Sequence, residues 1–547
     1  MMRSFATRSR LGELVVALLL ASTGLGAQAD DPRRIVVIGD LHMGVGRDDT
    51  GAWHATEDFR WDDELAAFLR ALAAESDTTD LILNGDTFEL WPESEDACAH
   101  SDLTLGCTET EALAQLDRVL SAHGPAIDAL ASFARAGSNR IVVVPGDHDA
   151  ALLWPALRSR VEQALGAPGA RITVSTTGDW DSADGQVHVE HGHQIGDRDS
   201  RYAAWPKPFL ERGGETYLER PWGAQVAGAF LDWQETLYPV VDNFADEGAG
   251  VALAVGADGL TELGRDTPQY LRYLLFRMPW QQFRVDLDAG DVEAPTWDLA
   301  AVRAEGPAFL DASFADDDPF KSAAEETRSD GRLDALMAQL TDDELTAVCD
   351  YRASLRRARR RFERYLTQND PRGPPVRECP RVAESRGGQF DYFWRTRDRV
   401  YGDAIAAADA RRSSNLSPIA IFVHGHTHLV DWRQRVLQMT RLGREVIVDG
   451  FSPVRNALTP VVINGGAWQR TITPVQFGRL QAVHGMSDVE LLTTLQPEHL
   501  APCYSFVQVE AYAETPERPA IRYWRQTENG QWALASACGR QPTLASR

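Results

Sequence analysis

Five short groups of Asp and His residues punctuate this chain: Gly39-Asp40-Leu41-His42, Asn84-Gly85-Asp86, Gly146-Asp147-His148-Asp149, Glu190-His191-Gly192-His193 and His424-Gly425-His426-Thr427-His428. Carboxylate and imidazole donors without a thiolate suit Mn, Fe, Zn or Co in a mixed oxygen and nitrogen site, not a structural thiolate zinc. A glycine beside each donor lets the backbone turn sharply. A lone Asp-x-His carries little information, and Gly-Asp is common turn chemistry. All five groups in order are another matter, because carboxylates gathered in one crevice repel unless a cation lies between them.

The elements around these groups explain how they could meet. Arg34 to Gly39 is a β-branched run ending at glycine and reads as a buried strand. Asp63 to Ala74 reads as a helix, Leu81 to Asn84 as a second strand, Thr108 to Ala136 as mostly helical and Arg140 to Val144 as a third strand. This β-α-β-α-β order predicts a layered α/β core. Arg171 to Thr176, Gln186 to Glu190, Ile419 to Val423 and Val461 to Asn464 read as further strands, and Tyr504 to Tyr512 and Ile521 to Trp524 alternate like sheet. Each Asp/His group follows a strand, where open α/β sheets bind their ligands.

The first 29 residues predict a signal peptide: Arg3, Arg8 and Arg10, an apolar run from Leu14 to Ala21, and Ala27-Gln28-Ala29 as a cleavage signal. The run is shorter than the ~18 residues a spanning helix needs, so the mature chain is expected to lack a transmembrane segment and to be periplasmic or extracellular. Six cysteines in an oxidising compartment predict disulfides, and sequence order suggests Cys98–Cys107, Cys349–Cys379 and Cys503–Cys538. The formal net charge is −25, and −27 without residues 1–29, which argues against nucleic acid as a partner.

The order D-x-H, G-D, G-[N/D]-H-D, H-G, G-H-T-H resembles the calcineurin-like metallophosphoesterases, over roughly Arg34 to His193 and Ile419 to Trp468. Asn84-Gly85-Asp86-Thr87-Phe88-Glu89-Leu90-Trp91 and Asn464-Gly465-Gly466-Ala467-Trp468 are similar to the subgroup of UDP-2,3-diacylglucosamine pyrophosphatases. The resemblance implies a four-layer αββα sandwich and two transition-metal ions. Asp40, His42, Asp86 and His428 would hold one ion; Asp147, His191 and His426 would complete the other, with Asp86 bridging. A metal-bridging hydroxide would attack phosphorus in a phosphoric ester or pyrophosphate, with His148 as the catalytic histidine. Asp149 would orient His148 or cap the helix that follows. Asp147 stands where the family pattern has Asn and adds one negative charge, which a trivalent ion, a less charged substrate or a nearby Arg could balance. This departure keeps open an alternative, a non-catalytic metal-binding or ligand-binding protein on the same fold.

Phe88, Trp91 and His193 are candidate substrate contacts, while His188, His193 and His424 otherwise read as supporting or solvent-facing histidines. The substrate would be an anionic phosphate-containing small molecule or lipid. Residues 30–195 and 417–547 are expected to form the catalytic domain, with 196–416 as an inserted, mainly helical cap. The insertion includes an arginine-rich helix at Arg352 to Arg364, which reads as a solvated face.

Overall fold

The computed structural model describes residues 33–244 and 401–538, apart from short stretches of which 92–97, 167–170, 197–199, 225–231, 412–418, 440–444, 450–459 and 510–518 are the longest. The expected signal peptide, the Cys349–Cys379 pair, the arginine-rich helix and most of the expected cap lie outside the described residues.

The first half of the chain runs β1 (Arg34–Ile38), α1 (Asp62–Glu75), β2 (Thr79–Asn84), β3 (Leu105–Thr108), α2 (Glu109–Ala122), α3 (Gly124–Arg135), β4 (Arg140–Val144), α4 (Pro155–Ala164), β5 (Ile172–Val174), β6 (Asp179–Asp181), β7 (Val187–Glu190), β8 (Phe209–Arg212), β9 (Glu215–Glu219) and α5 (Asp232–Leu237). The second half runs β10 (Ile421–His424), β11 (Asp431–Arg433), β12 (Arg435–Met439), β13 (Glu445–Asp449), β14 (Val461–Asn464), α6 (Pro474–His484), α7 (Asp488–Thr494), β15 (Cys503–Val509), β16 (Ala520–Gln526) and β17 (Trp532–Ala535).

Two sheets dominate, one in the order β17-β16-β15-β1-β2-β4-β5 and the other β11-β14-β10-β7-β6. They face each other through one apolar cluster that draws Ile35, Val37, Ile82 and Val507 from the first and Val187, Val189, Ile421, Val423 and Ile463 from the second. Strand periodicity sends the alternate residues Val36, Ile38, Leu81 and Leu83 the other way, onto Leu65, Phe68, Leu116, Leu130 and Val161 of α1 to α4. The second sheet's outer face, with Phe422 and Val462, is covered by Tyr401, Ala404 and Ala408 of the helical residues 401–408. Helix, sheet, sheet, helix is the sandwich the motifs imply.

Register then places the site. Strands β1, β2 and β4 are parallel, with Ile38 opposite Leu83 and Asn84 opposite Val144. Strands β7, β10 and β14 are likewise parallel, with Val423 opposite Val189 and His424 opposite Asn464. All five Asp/His groups therefore leave carboxyl ends of strands in the two facing sheets.

Three local features differ from the sequence expectations. The helical stretch after Thr108 is two helices that break at His123, where Gly124-Pro125 opens the second. The expected cap begins with a β-hairpin, β8–β9, which pairs with β3. Pieces of 196–416 also belong to the main body: residues 401–408 form an outer layer, and Tyr238, Val240, Val241 and Phe244 pack with Phe477, Leu491 and Leu492. Disulfides join Cys98 to Cys107 and Cys503 to Cys538 as expected. Among the described residues no helix is long and apolar enough to cross a membrane.

Candidate metal centre

All seven residues expected as metal ligands meet at the convergent strand ends. Asp86, Asp147, His191 and His426 form one group able to hold a cation, and Asp40, His42 and His428 form a second. His191 Nε2 lies 2.9 Å from Asp86 Oδ2 and 3.1 Å from Asp147 Oδ1, and His426 Nδ1 lies 3.2 Å from the same Asp147 oxygen. On the other side His428 Nε2 lies 3.6 Å from Asp40 Oδ1. Asp86 Oδ2 also lies 3.8 Å from His42 Nε2, so this carboxylate faces both groups.

Backbone conformation tightens the cluster. Asp40, His42, Asp86, His426 and His428 all have positive φ, from 48° to 69°, and Cys98 is the other described non-glycine residue that does. Such conformations cost about 1–3 kcal/mol each and persist only where the surroundings fix them. Glycines make room: a Cβ on Gly85, itself at positive φ, would collide with the His191 ring, and one on Gly146 would strike the Asp86 carboxylate. Backbone N–H groups orient two carboxylates, since His426 N–H donates to Asp40 Oδ1 and His148 N–H donates to Asp86 Oδ1, each at 3.0 Å.

The donors fit a pair of cations. Asp40 Oδ2, both Asp147 oxygens, His42 Nε2 and His191 Nε2 are buried and lack a hydrogen-bond partner, although they crowd one another. Buried carboxylates with free oxygens are costly unless a positive charge offsets them. The protonation pattern of the chain alone carries the same message. Burial pushes Asp40 up to about 6, against the pull of His191. Burial also disfavours charge on Asp147, yet His426 and His191 hold it well below the usual carboxylate range. Burial opposes protonation of His191, but Asp86 and Asp147 raise it well above an ordinary imidazole. The carboxylates thus draw positive charge into this crevice, which a bound cation would supply. Among the described residues the ion-pair partners of Asp147 are His191 and His426, and no Arg or Lys is one of them.

Glu89 organises the rest and was not singled out by the sequence for this role. Its Oε2 lies 2.6 Å from His148 Nδ1 and 3.1 Å from His42 Nδ1, while its Oε1 accepts from the Trp91 N–H at 3.0 Å. Burial acts to lower His148, but Glu89 and Asp86 raise it well above the usual range. With Nδ1 engaged by Glu89, Nε2 is the nitrogen left for chemistry. An acidic residue three positions after the Gly-Asp aspartate was the available signal.

The expectations for Asp149, Phe88 and His193 need correction. Asp149 neither orients His148 nor caps the following turn: its carboxylate accepts from the N–H groups of Thr87, Phe88 and Gly146, tying the β2 and β4 loops together. Phe88 is 1% exposed and sits in the helix-side core, because a bridge between Met43 and Phe88 continues the strand alternation and turns Glu89, not Phe88, toward the site. His193 is buried at 2% exposure, edge-on to Trp205, with its ring 5.5 Å from that of His191, so the structure gives it buried ring contacts and not the exposed place expected of a substrate contact. Burial drives its pKa down to about 3. Trp91 does lie at the rim, stacked on His148. His188 pairs with Asp181 and Glu190, and His424 meets the Gly425 carbonyl; neither belongs to the two ligand groups.

Residues 33–227 match the model of the calcineurin-like phosphoesterase (Metallophos) family. No curated protein and no solved structure matches the chain. The matched stretch runs from the start of β1 past β9 and contains Asp40, His42, Asp86, Asp147, His148 and His191, while His426 and His428 lie beyond it. Strand-end Asp and His residues in two facing sheets agree with the match of residues 33–227 to this family, whose members usually bind a dinuclear metal centre.

Proposed function

We propose that the chain is an exported, metal-dependent hydrolase of phosphoric esters or pyrophosphates. The observation that carries this reading is the pair of Asp/His groups sharing Asp86, with His148 held beside them by Glu89. In this reading Asp40, His42, Asp86 and His428 hold one cation, and Asp86, Asp147, His191 and His426 hold the other. Two bound cations would offset phosphoryl charge and acidify a water as the nucleophile. His148 holds a proton on Nε2 for the phosphoryl or leaving-group oxygen, and Glu89 fixes which nitrogen that is. The N-terminal sequence pattern and the two disulfides favour export.

The substrate is an anionic phosphate-containing small molecule or lipid. The stretch from Asn84 to Trp91 and the turn at Asn464 to Trp468 favour pyrophosphate cleavage of the kind in the UDP-2,3-diacylglucosamine pyrophosphatase subgroup. An exported enzyme would not meet the cytoplasmic substrate of that subgroup, so a related diester or pyrophosphate is the better candidate. The test is metal analysis of the purified protein, then turnover of a panel of phosphomonoesters, phosphodiesters and UDP-sugars with Mn, Fe, Zn or Co. Metal-dependent turnover of at least one class is expected. Metal-loaded protein that hydrolyses none would refute the reading and leave the non-catalytic alternative.

A further inference from the structure

His148 is confined on several sides. Glu89 meets Nδ1 at 2.6 Å. Trp91 stacks on the ring face, with centroids 3.6 Å apart and planes 19° from parallel. The His42 ring makes an edge contact with His148 at 4.6 Å and 83°. The peptide joining Asp147 to His148 is fixed as well. Its carbonyl accepts from Trp91 Nε1–H at 2.9 Å and from the Tyr202 hydroxyl at 2.8 Å. One indole therefore touches both the imidazole and the backbone that links it to a candidate metal ligand.

We propose that Trp91 is a positioning residue for His148, its stacked face and its N–H tether to the Asp147 carbonyl together holding Nε2 in a single orientation toward the phosphoryl group. A single hydrogen bond to Glu89 fixes Nδ1 but leaves the ring free to swing about that contact. A planar wall removes the swing, since the two rings lie nearly parallel and face to face at 3.6 Å. Trp91 is placed in turn by its own N–H, which donates to Glu89 Oε1, and by the buried neighbours Phe88 and Leu90. It stands only half-buried at the rim, outside the main apolar cluster, so packing alone does not account for it. Misplacing a catalytic group by ~1 Å can cost ~10²-fold in rate.

This inference rests on the phosphoesterase reading, and the test separates the two. Trp91→Leu and Trp91→Phe are compared with wild type on an alkyl phosphodiester, whose leaving group needs a proton, and on a p-nitrophenyl diester, whose leaving group does not. Trp91→Leu should lower kcat by ~30-fold on the alkyl ester and by less than ~3-fold on the nitrophenyl ester, with KM and metal content little changed. Trp91→Phe keeps a stacked face but loses the N–H tether to the Asp147 carbonyl, and should recover only part of the loss. Equal losses on both esters, or a rise in KM alone, would overturn the proposal. Wild-type protein inactive on both would refute the phosphoesterase reading instead. The crystal structure of Trp91→Leu then still decides the positioning role: His148 should leave its single orientation, and an unmoved ring would overturn the proposal.

Discussion

Glu89 offers a perturbation whose size follows from the structure. Glu89→Gln removes the charge that accepts from His148 at 2.6 Å and from His42 at 3.1 Å, in nearly the same volume. A hydrogen bond to a charged group contributes about 1.5–3 kcal/mol. At ~1.4 kcal/mol per decade, loss of the His148 bond alone predicts a fall in kcat of about 10- to 150-fold at saturating metal. Loss of the His42 bond acts on a candidate metal ligand, where such supporting partners contribute ~10–100-fold in affinity. The two effects separate in a double-mutant cycle with His148→Ala. In that background Glu89→Gln should change kcat by no more than ~3-fold, because the histidine it orients is gone, yet should still weaken metal binding measured by titration. Wild-type kcat in the single variant, or losses that simply multiply in the double variant, would refute the orienting role.

Asp147→Asn should shift metal preference toward divalent ions and raise monoesterase relative to diesterase activity by ~10-fold, a fraction of the ~4 kcal/mol between unit charges 4 Å apart in a partly screened site; metal analysis and the activity ratio check it. Asp149→Ala strands the N–H groups of Thr87, Phe88 and Gly146 and should cost about 3 kcal/mol or more in denaturant unfolding, while the dependence of rate on leaving group stays as in wild type. His123 lies 3.4 Å from both Glu57 and Asp62, and although burial opposes protonation these carboxylates raise it to about 9. Its folded value exceeds the unfolded ~6.5, so its stabilisation is complete below that pH and is lost as pH rises through about 9. The stability gap between wild type and His123→Gln should accordingly shrink by about 1–2 kcal/mol between pH 6 and pH 9.5 in unfolding titrations.

The strands that carry the site were legible as short apolar runs that give way to an Asp or His group, while the two-sheet sandwich and the roles of the seven Asp and His residues came from the resemblance to the calcineurin-like metallophosphoesterases. What depends on distant partners was not. Glu89 reaches the site only because Met43 and Phe88 bridge, a pairing between residues far apart in sequence. Asp149 was assigned to His148 because the two are adjacent, but its carboxylate is taken up by backbone N–H groups of another loop. Tyr202 clamps the Asp147 carbonyl from 55 residues away, with no motif to announce it. The β8–β9 hairpin was hidden by short polar strands, although Gly213-Gly214 between them is a hairpin signal.

Titration of metal-stripped protein with Mn²⁺, with hydrolysis of a chromogenic phosphodiester followed at each step, tests the two-cation account most directly. Activity should be absent without metal and should reach its plateau at two equivalents per chain, with Asp86→Ala failing to reach it because that carboxylate faces both groups. Hydrolysis by the stripped protein, or a plateau at one equivalent that Asp86→Ala reproduces, would contradict it.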